Sequence, residues 1–522
     1  MKRVIIIGAG LAGLSAAMEL AKQNVGSELI SPQPSERAQS VLAEGGINAA
    51  LDLMGEGDSP AEHCADTLRG GCDLADPQAV RSLTAHAPLL VKTLSALGVP
   101  FQMEGERLVQ RNFGGQKKKR TAYAKSSTGK AVMTALIDEA RKCEAAGLIR
   151  RWPHHTLADI VAENGTCTGI SVRNTYTDGE VRFSGPVILA CGGLNGLFPG
   201  RTTGTTQNTG DAAALAFARG AAFGNLEMLQ YHPTTVAISG KRLLISEAAR
   251  GEGGRLFTVE NGRRRYFMEE KYPELGNLMP RDVISREMAL LGGQIWLDLT
   301  GLPRAVWTKR LPDLRDELKH YLKLDPAKEP VPVSPGIHFF MGGILVDRGH
   351  RTSLGNLFAA GECACQYHGA NRLGGNSLLG ALYGGIVAAR SAAPAAEDRE
   401  PEKPGPLPAQ PETPGFSTRL GDILFGGLGI LRDETTLAHA LSALDALSAE
   451  TLTEGERRRL ALGRAMLLSA LARRESRGAH TRTDFPERDD AQFRKTTVAA
   501  MRNGTAQISF RPIPEGGEAD AP

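Results

Sequence analysis

Val4-Ile5-Ile6-Ile7-Gly8-Ala9-Gly10-Leu11-Ala12-Gly13 stands at the start of the chain and decides how the fold begins. The unbroken β-branched run from Val4 to Ile7 marks a strand covered on both faces. The glycines that follow have the spacing G-x-G-x-x-G, and Leu14 to Gln23 then carries apolar residues at helical spacing. The motif alone is a weak signal. Between a strand and a helix, it reads as a dinucleotide-binding βα unit. Gly8 permits the tight turn, Gly10 lets a pyrophosphate approach the backbone, and Gly13 lets helix and strand pack closely. The phosphates then meet the helix N-terminus, whose free N–H groups and dipole favour an anion.

Outward from this unit, the next strand is expected near Glu28-Leu29-Ile30-Ser31. It should end in an acid that holds the adenosine ribose; Ser31 stands there, with a hydroxyl but no charge. Val187-Ile188-Leu189-Ala190-Cys191-Gly192-Gly193 and Asn356-Leu357-Phe358-Ala359-Ala360-Gly361-Glu362 repeat the strand-then-glycine pattern far downstream. That is the expectation for a nucleotide domain interrupted by an insertion. From Ser391 to Ser417 there are seven prolines and no apolar period, which predicts a linker. Beyond it, Thr436–Leu447 and Glu454–Arg474 carry helical patterns rich in Ala, Leu and Arg, predicting a small helical domain.

Composition narrows the function classes. The chain has 522 residues, 41% hydrophobic and 23% charged, as a globular protein of about three domains would. A net charge of +3 is too balanced for a nucleic-acid or polybasic membrane binder, and Lys117-Lys118-Lys119-Arg120 reads as a solvated loop. No stretch approaches the ~20 apolar residues that a membrane-spanning helix needs. Met1-Lys2-Arg3 and the apolar run after it resemble the opening of a signal peptide, but glycines follow at once and no cleavage site closes the run. A cytoplasmic location is expected, or a peripheral one on the cytoplasmic side of a membrane through partner subunits. The seven cysteines are scattered without the spacing of zinc or iron–sulfur ligands, so no metal site is expected and the thiols should be reduced. If the protein moves electrons, the metal centres that supply them lie on another chain.

Several segments together resemble the flavoprotein subunits of fumarate reductase and succinate dehydrogenase, a family that includes L-aspartate oxidase. Besides the N-terminal GAGLAGL they are Ala43-Glu44-Gly45-Gly46-Ile47, Gln230-Tyr231-His232-Pro233-Thr234 and Ile245-Ser246-Glu247-Ala248-Ala249-Arg250-Gly251-Glu252-Gly253-Gly254. Downstream stand Pro280-Arg281-Asp282, His338-Phe339-Phe340-Met341-Gly342-Gly343, His368-Gly369-Ala370-Asn371-Arg372-Leu373-Gly374-Gly375-Asn376-Ser377-Leu378 and Glu475-Ser476-Arg477-Gly478-Ala479-His480 with Asp484-Phe485-Pro486. The resemblance implies an α/β fold, in which a Rossmann-like FAD-binding domain is interrupted by an α+β capping domain and followed by a C-terminal helical domain. The expected boundaries are 1–225 and 336–390 for the FAD domain and 226–335 for the cap. They continue with 391–417 for the Pro-rich linker, 418–500 for the helical domain and 501–522 for a C-terminal tail.

The same resemblance implies roles. A four-carbon dicarboxylate needs cationic or donor groups at both ends. Arg372 is similar to the arginine that clamps one carboxylate, a task that suits the guanidinium fork. His232 and His338 resemble the substrate histidines, and Ser246 stands where the family has a hydroxyl donor. Arg281 resembles the arginine that delivers a proton to the substrate carbon; its bland reading is a salt bridge with Asp282. With a pKa above about 12 an arginine serves only as a relay, and Glu247 and Arg250 match the groups that recharge it. For FAD the expected contacts are Gly8, Gly10, Gly13, Ser31, Gly45, Gly46, Asp211, Glu362, Ser377 and Leu378.

Two departures concern the subclass. Gln39 stands five residues before Glu44, where membrane-bound members have the histidine that bonds covalently to FAD. An amide cannot form that link, so FAD should be non-covalent and the flavin more reducing, which favours the direction from fumarate to succinate. Phe113, in Arg111-Asn112-Phe113-Gly114-Gly115-Gln116, stands where L-aspartate oxidase carries a glutamate that pairs the substrate ammonium. A phenyl ring cannot pair an ammonium but packs against an apolar substrate middle. The resemblance therefore implies reduction of fumarate to succinate, with hydride from flavin N5 and a proton from Arg281. L-aspartate oxidase and a succinate dehydrogenase flavoprotein subunit are the alternatives. A separate iron–sulfur electron-transfer subunit is one implied electron source; a non-catalytic docking scaffold is disfavoured because every catalytic position is retained.

Overall fold

The computed structural model describes residues 1–514 apart from Ser126. Its centre is a five-stranded parallel sheet built from β1 (Arg3–Ile7), β2 (Gly26–Ser31), β3 (Ile149–Pro153), β4 (Val187–Leu189) and β5 (Leu357–Ala359), in the order β5-β4-β1-β2-β3. β1 is buried along its whole length because it pairs with β2 on one side and β4 on the other, with Ile6 opposite Leu29 and Ile188. Helix α1 (Leu11–Lys22) starts three residues before the predicted Leu14, since Leu14 N–H already bonds to Gly10 O at 2.9 Å. Gly8 has φ +113°, which other residues rarely adopt. A Cβ on Gly13 would stand 1.8 Å from Gly8 O, so only glycine lets the helix lie this close to the turn.

The chain leaves this sheet between β4 and β5. A six-stranded sheet follows, with Leu229–Ile238 and Val331–Phe340 as its longest strands. Their antiparallel register sets Gln230 opposite Phe339 and His232 opposite Gly336. Pro233 fits inside because the register shifts between His232 and Thr235. Helix Arg281–Leu291 lies on this sheet, and residues from Val236 to Val333 form an apolar core of their own. The chain then returns through β5 to α2 (Asn376–Ala392), which packs on α1.

Two segments differ from expectation. Within the expected linker, Glu402–Pro406 is a strand on the edge of an antiparallel sheet, pairing Gly179–Ser184. Its prolines are tolerated because an edge strand need not donate on its outer side. Within the expected tail, Thr505–Pro512 pairs along its length with Lys495–Arg502, and that hairpin joins Phe223–Gly224. Residues 515–522 of that tail lie outside the described residues. Helices Phe416–Gly427, Glu434–Ser448 and α3 (Glu454–Ala472) form the helical domain. Their leucines, among them Leu420, Leu424 and Leu467, share one core with Leu197, Phe198 and Phe217.

Candidate active site

One cavity of about 1140 Å³ runs along the carboxyl edge of the parallel sheet, the place where open α/β sheets bind ligands. At one end it is lined by Gly8, Gly10, Ser31 and Asp211, and at the other by His232, Arg281, His338 and Arg372. The residues present fit a long dinucleotide. A Cβ on Gly10 would find no atom nearer than 3.5 Å, so the glycine leaves free the space that a diphosphate takes beside the start of α1. Ser31 Oγ donates to Gln33 O at 2.7 Å, which leaves its lone pairs to accept from a ribose hydroxyl. Asp211 opens helix Asp211–Ala218 and is held by Thr209 Oγ1 at 2.7 Å and Arg459 Nε at 3.2 Å. Gly45, Gly46, Ser377 and Leu378 line the middle of the cavity. Glu362 lies there too, accepting from Phe340 N–H at 3.1 Å; burial pushes its carboxyl up to about 7 despite that bond and the nearby Arg372.

At the far end, buried charges face one another. Arg281, the first residue of its helix, donates from Nε to Glu247 Oε2 at 2.9 Å and from Nη1 to Gln230 Oε1 at 3.1 Å. Glu247 Oε1 accepts from Gly114 N–H at 2.6 Å. Burial alone would raise Glu247, but Arg281 and then Arg250 hold its pKa below the usual carboxylate range. Arg250 donates to Asn277 O at 2.6 Å while its Nε and Nη2 have no hydrogen-bond partner. Burial, opposed by Glu247, brings its guanidinium down to about 10. Arg372 lies with Cζ 4.3 Å from the Phe339 ring centre, its Nε unpartnered, and burial together with Arg281 lowers it to about 9. It remains cationic at neutral pH, and the unpartnered N–H is available to an anion.

The two histidines meet edge-on, with ring centres 5.1 Å apart and planes at 60°, and His338 Nδ1 lies 2.8 Å from Thr203 Oγ1. Burial, followed by the charge of Arg281, holds both imidazoles well below their ordinary range, so both are neutral at pH 7. They supply hydrogen bonds and no charge. Phe113 is 5% exposed, with its ring against Gly45 and Gly374 and the Arg111 guanidinium 5.2 Å from its centre.

All but two of the residues singled out from the sequence line this cavity: Gly13 packs beneath the turn, and Arg250 lies behind Glu247. Arg281 pairs with Glu247; Asp282 instead accepts from Asn371 Nδ2 at 2.9 Å. Sequence reasoning missed two residues. Gln230 joins the two arginines, accepting from Arg281 and donating to Arg372 O at 2.8 Å and to Asn371 Oδ1 at 2.7 Å. Its place two residues before His232 in an alternating strand was the available signal. Glu44 faces the cavity; burial and then Glu317 push its carboxyl up to about 8. Gln39, at the position of the flavin-linking histidine, accepts from Thr205 N–H at 2.6 Å through Oε1.

The chain was compared with known proteins. Residues 3–378 match a family described as FAD binding domain, and residues 455–515 one described as fumarate reductase flavoprotein C-term. The succinate dehydrogenase flavoprotein subunit of Bacillus subtilis is 36% identical, over 95% of this chain and 93% of the relative. An L-aspartate oxidase of Streptomyces coelicolor is 33% identical, over 95% of this chain and 91% of the relative. A solved structure of E. coli quinol fumarate reductase superposes with a TM-score of 0.85 at 28% identity, covering 100% of this chain and 99% of that one.

Proposed function

Because the chain belongs to the family of succinate dehydrogenase and fumarate reductase flavoproteins and L-aspartate oxidase, we propose that it reduces fumarate to succinate with non-covalently held FAD. The observation that carries this reading is the composition of the cavity's far end. Arg281 and Arg372 supply cations for a dicarboxylate, and the buried Phe113 ring supplies an apolar wall where a substrate that carries an ammonium would need an acid. FAD, when bound, supplies the hydride. Arg372 forks onto one carboxylate while the neutral His232 and His338, with Ser246, hydrogen-bond the substrate. Arg281 moves a proton from its guanidinium to the alkene carbon, and Glu247, in direct contact with it, returns one with the charge of Arg250 behind. Gly8, Gly10, Ser31, Asp211, Glu362, Ser377 and Leu378 would hold the cofactor. Gln39 lacks the imidazole nitrogen that a covalent link requires.

L-aspartate oxidase is the second reading, favoured by Glu44, a carboxyl in the same cavity. With its pKa at about 8, Glu44 is mostly protonated at neutral pH and offers an ammonium no charge. No helix among the described residues is long and apolar enough to cross a membrane, and no cluster of metal-binding side chains occurs among them. A separate iron–sulfur subunit is therefore the proposed electron source, and attachment to a membrane would be peripheral, through such partners. The test is steady-state turnover: fumarate with reduced viologen against L-aspartate with oxygen. Faster turnover of L-aspartate would overturn the proposal.

A further inference from the structure

The Pro-rich stretch does more than join two domains. Between the strand Glu402–Pro406 and the helix Phe416–Gly427 it runs along the cofactor cavity, where Leu407, Pro408, Ala409 and Gln410 line the wall. Its first anchor lies at the end assigned to the ribose. Ser31, which closes β2, stands opposite Pro153 of β3, and the strand His155–Glu163 starts beside it, with Thr156 paired to Arg173. Arg173 Nη1 donates to Asp178 Oδ1 at 2.8 Å, and Leu407 N–H donates to Asp178 O at 2.5 Å. Thr156 and Arg173 line the same cavity. The second anchor is on α3. Arg459 Nη2 donates to Glu412 Oε2 at 2.7 Å, while the N–H and hydroxyl of Thr413 donate to the two oxygens of Glu456 at 2.6 and 3.1 Å. Arg459 Nε stands 3.2 Å from Asp211 Oδ1, which ties this anchor to the cofactor end as well.

We propose that residues 407–412 are a strap that holds the adenosine half of FAD, and that this strap retains a cofactor to which Gln39 offers no covalent link. The inference rests on the cofactor part of the proposed function, FAD bound without a covalent bond. Pinned on both sides of the cavity, the strap has its position set before the ligand arrives, so binding spends little on ordering it. Pro408, Pro411 and Pro414 reinforce this, because a fixed φ removes conformations that a flexible connection would have to lose. Residues 408–410 are exposed, and Leu407 is half-buried. Their leucine, proline and alanine side chains offer apolar surface to the faces of a purine ring.

Charge supports the same assignment. Glu412 would repel a diphosphate, but its carboxylate is paired with Arg459 and accepts from Ser417 Oγ at 2.8 Å, so the strap reaches the cavity without a free negative charge. Because the strap stands at the ribose end, it bears on the adenosine that distinguishes FAD from FMN.

The experiment strips the full chain of flavin, reloads it with FAD or with FMN, and follows amide exchange by mass spectrometry. FAD should slow exchange at Leu407, Ala409 and Gln410 about tenfold, and FMN should leave those amides as they are in the stripped chain. FAD that binds without slowing them, or FMN that slows them equally, would overturn the strap and leave the proposed reaction standing. Flavin that cannot be stripped would overturn the non-covalent reading and this inference with it. Release of FAD, read as the rise of free-flavin fluorescence on dilution, gives a second measure. Glu412→Ala frees the far anchor, and Pro408→Gly with Pro411→Gly slackens the strap; each should speed release about tenfold. Removing the Glu412 carboxylate would by charge alone tighten a diphosphate, so faster release reports the lost anchor. Release at the parental rate from both variants would also overturn the proposal.

Discussion

Arg281 places Nε and Nη2 on the same oxygen of Glu247, at 2.9 and 2.8 Å, while the second oxygen of that carboxylate is held by Gly114 N–H. The pair is buried on both sides, with side-chain exposures of 11% and 4%. A proton leaving Arg281, in the proposed mechanism, would be replaced through a contact already made, and neither group is free to swing away.

Arg281→Gln should separate chemistry from binding. Arg281 touches Glu247 and Gln230 and no residue assigned to FAD, so the fold and cofactor retention should stay close to those of the parent. Loss of a general acid costs typically about 10²–10⁴-fold, and with no other group assigned to the substrate carbon the loss should reach the upper end. Stopped-flow reoxidation of the reduced protein by fumarate measures it. A parental rate in this variant would remove Arg281 from the mechanism. Arg281→Lys should recover only part, since an ammonium donates as a point charge without the fork.

Phe113 should exclude L-aspartate. A buried ammonium without a carboxylate partner costs several kcal/mol in effective terms, or on the order of 10²–10³ in kcat/KM at ~1.4 kcal/mol per decade. Phe113→Glu should narrow that gap by raising L-aspartate oxidation while fumarate reduction falls. Equal efficiency of the parent chain on both substrates would contradict the reading.

FAD should come away intact on acid precipitation, leaving a colourless pellet and a yellow supernatant. Gln39 carries an amide whose oxygen is engaged by Thr205 N–H. Flavin fluorescence retained on the denatured band would show a covalent link that this geometry does not provide. Gln39→His supplies the missing nitrogen and is the matching gain-of-function variant.

Glu44 should make stability fall with rising pH. Its folded pKa, about 8, lies above the ordinary value of 4.5. Between those values the unfolded chain releases the proton that the folded chain keeps, so the contribution is fully present below 4.5 and is lost as pH rises through 8. Because Glu44 faces the cavity, the swing should be on the order of 2 kcal/mol. Glu44→Gln removes the titrating proton at nearly unchanged size and should flatten this part of the profile, which urea titrations from pH 5 to 8.5 would reveal. An unchanged slope in the variant would assign it elsewhere.

The elements legible in the sequence are those whose cause is local. β1, the glycine turn and α1 rest on a β-branched run and on spacing within two dozen residues, and they form as read apart from the earlier helix start. The strand Glu402–Pro406 was illegible because its formation depends on an edge supplied by Gly179–Ser184, more than two hundred residues away. The closing hairpin does alternate, with Ala506, Ile508 and Phe510 between polar residues, but these inward residues are only half-buried, and the apolar signal is weak beside that of the helices. In the site, residue types known to carry charge or a nucleotide were found by motif. Gln230 escaped because its importance lies in the helix start and the loop it joins, and Glu44 because only the folded cavity shows how far burial shifts it.

The distribution of apolar cores has a consequence for how the chain comes apart. The segment from Val236 to Val333 keeps its own core, whereas the helices after the Pro-rich stretch share theirs with residues around Phe198 and Phe217. Cooperative units follow shared cores rather than sequence order. Native-state hydrogen exchange should therefore show the amides of Leu256 and Leu297 opening together in a sub-global event while the central sheet stays closed. Those of Leu424 and Leu467 should exchange only through the global transition that also frees β4. The segment expected to cap the substrate is, by this construction, the one that can loosen without unfolding what would hold the cofactor.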